Sequence, residues 1–198
     1  MIRPETVIFD LDGTVYDNRC LHWMLPLSEL FCLKLGYLAR ERKARKALRG
    51  KDFGTEEAFY QRLFSAISPQ HPERAERWYH GHYMPLQARI LRRFCRPFPW
   101  VKSRLEELRK QNIQVAVYSD YGFAKEKLQA VGIDPQLFDL IVDAPSLGGL
   151  KPSQASAQRL MLKLQAQPQT TLIVGDRDDT DGETARQIGA AFERIVLK

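Results

Sequence analysis

The chain has 198 residues, of which 44% are hydrophobic and 27% charged. That suits one folded domain with a sizeable core, or one domain plus a small insert, and excludes a disordered or fibrous chain. The formal charge of +6 is unevenly placed. Residues 18–95 hold 15 Lys and Arg against 7 Asp and Glu, and the remainder is slightly acidic. A basic segment attracts phosphate esters, nucleic acid or acidic lipid alike, so charge alone does not choose a partner.

Residues 6–14 read TVIFDLDGT. Val7, Ile8 and Phe9 form an apolar run without polar alternation, the pattern of a strand buried on both faces of a parallel sheet. It stops at Asp10 and Asp12, followed by Gly13 and Thr14. Ligands of open α/β sheets bind beyond the carboxyl ends of the strands. Alternate residues of an extended segment point the same way, so both carboxylates can face one cavity. A hard divalent cation is the simplest group to neutralise such a pair. Taken alone, the motif equally fits a solvated acidic turn.

From residue 21 to about 95 the pattern is helical. Leu21, Leu25, Leu27, Leu30, Phe31, Leu33 and Leu38 make a stripe read as the core of an insert. Pro26 falls in its first turn or kinks it. Residues 40–49 are strongly basic and Gly50 follows as a C-cap; the run reads as a solvated face, in preference to a membrane-surface helix formed by the stripe over 21–38 with Arg40, Arg42, Lys43, Arg45 and Lys46. Thr55 with Glu56 and Glu57 predicts a helix start, and Pro72 opens another helix that Pro85 interrupts. His80 and His82 are a weak candidate metal pair. Cys20, Cys32 and Cys95 lack paired spacing and read as reduced thiols of a cytoplasmic protein. No signal peptide or spanning segment is expected.

After residue 96 helices and strands alternate. Helices are expected over 101–111, 123–131, 153–165 and 181–188, with strands over 115–118, 138–142, 171–174 and 191–197. This predicts a parallel sheet covered by helices on both faces, its first strand being residues 6–10. Three more strand-end positions then join Asp10 and Asp12: Ser119, Lys151 in the loop GGLKPS, and Asp176 with Asp178, Asp179 and Asp181 behind it. Gly148 and Gly149 are read as giving Lys151 freedom to reach the site. Carboxylates with a hydroxyl and an ammonium suit Mg²⁺ and a phosphoryl group, with one Asp left as nucleophile.

The order DLDGT, strand-Ser, Lys-Pro, GDRDDTD resembles the haloacid dehalogenase-like (HAD) hydrolase superfamily over residues 5–18 and about 97–198. The resemblance implies a Rossmann-like α/β core formed by residues 1–17 and 96–198, and a helical cap at 18–95 like that of phosphoglycolate phosphatase-like members. It implies that Asp10 is the nucleophile and Asp12 the general acid and base. Ser119, Asp120 and Lys151 would bind the phosphoryl group. Asp10, Asp176 and the backbone carbonyl of Asp12 would hold Mg²⁺, with Asp181 orienting Lys151 or supporting the metal shell. Asp178 and Asp179 fall between motif positions and read as solvated. Members that dehalogenate generally lack an acid at the position of Asp12, so the resemblance favours a phosphatase acting on a small phosphorylated metabolite, without nucleic acid. The alternatives are a phosphomutase of the same fold, or a non-enzymatic protein that binds an anion, lipid or nucleic acid through the basic segment.

Overall fold

The computed structural model describes residues 3–196. Five parallel strands are β1 (Thr6–Phe9), β2 (Gln114–Ser119), β3 (Leu140–Asp143), β4 (Thr171–Gly175) and β5 (Ala191–Arg194). Their spatial order is β3-β2-β1-β4-β5, and Phe9 lies opposite both Val117 and Val174. Side chains alternate across the sheet. Val7, Phe9, Val115 and Val117 join one core cluster with α6 (Pro99–Lys110) and α7 (Ala124–Val131). Ile8, Ala116, Tyr118 and Ile173 join a second with α8 (Gln154–Leu164) and α9 (Glu183–Ile188). Burial on both faces is why these strands read as unbroken apolar runs. The chain steps from β1 outward to β3, then returns to the other side of β1 with β4. The resulting switch point, between the ends of β1 and β4, is where open α/β sheets bind ligands.

Between β1 and α6 lie five further helices: α1 (Arg19–Phe31), α2 (Leu35–Leu48), α3 (Glu56–Ile67), α4 (Pro72–Trp78) and α5 (Met84–Phe94). The stripe expected to run to residue 38 breaks at Leu33, whose φ is 56°. Lys34 N donates to Glu29 O at 2.8 Å and Leu33 N to Leu30 O at 3.1 Å, closing α1 with paired C-terminal bonds and a left-handed residue. Pro26 lies well inside α1, not in its first turn. Of the stripe, Leu21, Leu25 and Leu38 are buried, whereas Leu27, Leu30, Phe31 and Leu33 are exposed, so only part of it is core. Thr55 Oγ1 accepts from Ala58 N at 3.2 Å and caps α3 as expected. Pro85 does not stop the chain. A π-helical turn at Tyr79–Tyr83 joins α4 to α5, and it accommodates a ring that would clash with the carbonyl four residues back.

The helical segment and the sheet share one hydrophobic cluster, running from Phe9 and Val117 through Leu128 to Leu91, Tyr79 and Leu63. Polar contacts reinforce the junction. Buried Arg45 of α2 pairs with Glu41, donates to Tyr79 Oη, and reaches the backbone oxygen of Asp120 at 2.8 Å. Asp52 receives both terminal nitrogens of Arg159, at 2.6 and 2.9 Å. Cys20 and Cys95, 75 residues apart, meet with sulfurs separated by 2.6 Å where the segment leaves and rejoins the sheet layer. Sequence spacing offers no sign of that proximity.

Removing one partner of a buried ion pair strands the other charge, at a cost of about 3–5 kcal/mol. Arg45→Ala should therefore lower the unfolding free energy in urea by about that amount. The double change Glu41→Leu with Arg45→Met, which leaves no lone charge, should recover most of the loss. A double variant as unstable as Arg45→Ala would show that Glu41 is not the source of the cost.

Candidate active site

Asp10 follows β1 directly, and its N–H still donates to Val174 O at 2.8 Å. The residue is 8% exposed. Oδ1 accepts from Lys151 Nζ at 2.6 Å and Oδ2 from Thr14 Oγ1 at 2.9 Å. Burial pushes Asp10 up to about 6; the Lys151 ammonium opposes the shift and Asp181 adds to it. The turn beyond needs glycine. Gly13 has φ 99°, and a Cβ there would sit 2.7 Å from Asp176 Oδ2.

Lys151 is the most heavily engaged cation of the cluster. Its Nζ donates to Asp10 and Asp181, both at 2.6 Å, and to Tyr118 O at 3.1 Å. Burial alone would push the ammonium down, but Asp10, Asp181 and Asp120 reverse this and hold it well above its ordinary value. Its backbone N–H donates to Asp120 Oδ1 at 2.7 Å. Gly148 and Gly149 therefore do not give Lys151 freedom; they let two loops pass closely. A Cβ on Gly148 would lie 2.7 Å from Gly54 C, and one on Gly149 2.6 Å from Lys51 O. Asp181 reaches Lys151 from the π-helical turn Asp178–Gly182, packed so closely on Gly175 that a Cβ there would strike its carboxylate.

Asp12 is held from three sides. Tyr16 Oη donates to Oδ1, Lys127 Nζ lies 3.0 and 2.9 Å from the two oxygens, and Ser119 Oγ is 3.4 Å from Oδ2. Lys127 is fully buried, and its Nζ also sits 4.8 Å from the Tyr121 ring centroid. Lys127 is absent from the sequence reading, although a signal for it exists. Ala124, Lys127, Leu128 and Val131 share the buried face of α7, and a lysine on such a stripe calls for a buried partner.

The structure thus gathers Asp10, Asp12, Ser119, Asp120, Lys151, Asp176 and Asp181 at the carboxyl ends of β1, β2 and β4. Asp120 does so as the anchor of the Lys151 backbone. Asp178 and Asp179 stay at the surface, paired with Arg186 at 3.0 Å and with Arg177 at 2.6 Å. His80 and His82 do not form a metal pair. His80 packs against the rings of Tyr60 and Phe64, while His82 Nε2 lies 3.2 Å from buried Glu29 Oε1. The basic run also divides by role. Arg45 is internal, and Arg49 pairs with Asp179 at 2.9 Å. Lys43 and Lys46 face solvent, whereas Arg42 lines a cavity.

That cavity, of about 320 Å³, opens beside Asp12 and is walled by Asn18, His22, Arg42, Gln87 and Tyr121. A wider hollow of about 560 Å³, among Arg109, Asn112 and Asp139, lies at the far end of β2, away from the carboxylates. On the other side of Asp10, one oxygen of each of Asp10, Asp176 and Asp181 lies within 4.8 Å of the others. Burial and the neighbouring Asp10 raise Asp176, whose Oδ1 receives only a 3.4 Å contact from Thr14 Oγ1. Lys151 donates to both Asp10 and Asp181, so Asp176 is the least satisfied oxygen donor of the three. Such a set fits a hard divalent cation.

Known proteins have related sequences and folds. The sequence profile of the haloacid dehalogenase-like hydrolases matches residues 7–195. The chain is 30% identical to the "Probable phosphatase IndB" of Dickeya dadantii, over 93% of this chain and 78% of that protein. It is 31% identical to the phosphoglycolate phosphatase of Aquifex aeolicus, over 48% of this chain and 45% of that one. In fold it resembles a predicted phosphoglycolate phosphatase from Haemophilus somnus, with a TM-score of 0.58 and 24% identity over 97% of this chain and 85% of the other. A HAD phosphatase from Thermococcus onnurineus gives a TM-score of 0.64 at 20% identity, over 97% and 86%. From the gathered carboxylates and lysine to the matched profile, these observations converge on one family, and the chain belongs to the haloacid dehalogenase-like hydrolases.

Proposed function

We propose that this protein is a Mg²⁺-dependent phosphatase that hydrolyses a small phosphate monoester through an aspartyl-phosphate on Asp10. The observation that carries the reading is the position of Lys151 Nζ, 2.6 Å from both Asp10 and Asp181 at the carboxyl end of the sheet. This pairing holds Asp10 as an oriented anion beside a positive charge that a phosphoryl group can share. The names of the phosphatase relatives support it further.

In the proposed reaction an Asp10 oxygen forms a bond to phosphorus while the bond from phosphorus to the ester oxygen breaks. Asp12 gives its proton to the departing alkoxide, then takes one from the water that cleaves the aspartyl-phosphate. Lys151 and Ser119 donate to the phosphoryl oxygens as charge builds there. Asp10, Asp176 and the Asp12 carbonyl would hold a divalent cation, which would supply further positive charge to the phosphoryl oxygens. Lys127 and Tyr16 fix the direction of the Asp12 carboxylate. The helical segment at 18–95 serves as a cap, and the cavity beneath it receives the leaving group. Its volume suits a small metabolite. Arg42 on its wall favours a leaving group that carries a second anion.

Asp10→Asn should reduce turnover of phosphorylated metabolites by several orders of magnitude. It should also change stability in a defined direction. The folded-state value of about 6 lies above the ordinary 3.8, so the native state holds this proton more tightly than the unfolded chain. Stability of the metal-free protein should therefore fall as pH rises between those values. Asp10→Asn removes that slope and should melt higher than wild type at neutral pH. Turnover retained by the variant would remove Asp10 from its role; a lower neutral melting temperature would contradict the stated cause of the shift.

Added Mg²⁺ should restore activity after chelation and raise the melting temperature, because it relieves repulsion between Asp10 and Asp176. Asp176→Ala should abolish both effects. Full activity in excess chelator would sink the metal requirement.

Between matched monophosphates with and without a carboxylate on the leaving group, kcat/KM should favour the anionic one by roughly tenfold. Arg42→Gln should erase most of that preference while leaving the neutral substrate nearly unaffected. An unchanged ratio would mean Arg42 does not read the leaving group.

A further inference from the structure

Helix α1 is apolar on two faces, and only one of them is buried. Leu21, Leu25 and Glu29 point inward, where Trp78 Nε1 donates to Glu29 Oε2 at 3.3 Å. Trp23, Leu27, Leu30 and Phe31, at i, i+4, i+7 and i+8, point outward and are between 48% and 80% exposed. The corner into α2 adds Leu33, 92% exposed, and Leu35, 41% exposed. Six of the nine exposed large hydrophobics among the described residues thus lie within this one stretch. A concentration of that kind marks an interaction surface.

The charges around it say what covers it. Along α1 and α2 the acidic residues are Glu29 and Glu41, and both are fully buried. Arg40, Arg42, Lys43 and Lys46 are all exposed on α2, which packs beside α1. The exposed residues of these two helices therefore combine a tryptophan, a phenylalanine and leucines with charge that is positive alone. That is the composition of a helix lying in a lipid interface next to anionic headgroups. A second copy of the chain would instead bring two positive surfaces together. No helix among the described residues is long and apolar enough to cross a membrane, so the contact is peripheral.

We infer that the outer face of α1 and the α1–α2 corner dock this protein on a membrane surface carrying anionic lipid. Trp23, Leu27, Leu30, Phe31 and Leu33 enter the headgroup boundary, and Lys43 and Lys46 add attraction to anionic lipid. None of these residues lines the cavity beside Asp12, so docking and chemistry can be separated by mutation.

The test mixes the full chain with vesicles of phosphatidylcholine alone, and with vesicles also containing phosphatidylglycerol. The protein should sediment with the anionic vesicles, less so at high salt, and tryptophan emission should shift to the blue as Trp23 leaves water. Lys43→Glu with Lys46→Glu should weaken binding by at least about tenfold. Leu30→Glu with Phe31→Glu should abolish binding while circular dichroism and phosphatase activity stay unchanged. Trp23→Phe should keep binding and lose the blue shift. Absence of binding to either vesicle at low salt would overturn the inference, as would equal binding by the Leu30→Glu, Phe31→Glu protein. A solution dimer that this double variant dissociates would assign the face to a second copy instead.

Discussion

A buried ammonium between two carboxylates holds this site together. Lys151 comes from one loop, Asp10 from the end of β1 and Asp181 from the turn after β4, and no two of them are neighbours in sequence. Each charge would be costly alone in that interior. Together they lock three loops into one geometry, with the Tyr118 carbonyl and the Asp120 carboxylate fixing the lysine from behind. The close approaches at Gly13, Gly148, Gly149 and Gly175 follow from the same crowding, since a side chain at any of them would push the loops apart.

The sheet explains why those loops meet. Reversal of strand order beside β1 places the ends of β1 and β4 next to each other, and the carboxylates sit on those ends. The helical segment then walls the cavity beside Asp12 through Asn18, His22, Arg42 and Gln87. Its attachment is partly apolar, through the shared cluster, and partly polar, through the Arg45 hydrogen bond to the Asp120 carbonyl and the ion pairs Arg49–Asp179 and Asp52–Arg159. A segment fastened in both ways can shape a cavity while its far face, on α1, remains free to meet something else.

Much of this was legible in the sequence because strand ends and charged motifs are local signals. The four sheet strands over 6–10, 115–118, 138–142 and 171–174 lie within a few residues of their expected bounds, and β5 ends at Arg194. Residue 197 of the last expected strand lies outside the described residues. What the sequence hid depended on tertiary contact. Lys127 meets Asp12 across 115 positions, and Cys20 meets Cys95 across 75. The stripe over residues 21–38 misled for a physical reason: helical periodicity reports that a helix is apolar on one side, but α1 is apolar on two, and the pattern cannot say which one the fold covers. The interruption expected at Pro85 takes the form of a π-helical turn, after which α5 starts with Pro85 in its first turn.

The central claim is that Asp10 carries the phosphoryl group between its two transfers. The most direct measurement is rapid acid quench of the Asp12→Asn protein during turnover of a phosphate ester with a good leaving group, followed by peptide mass spectrometry. Loss of the Asp12 base should let the intermediate accumulate, so the account predicts one added phosphoryl group on the peptide containing Asp10, labile to hydroxylamine. A phosphoryl group found on another residue, or turnover of substrate with none trapped at Asp10, would contradict it.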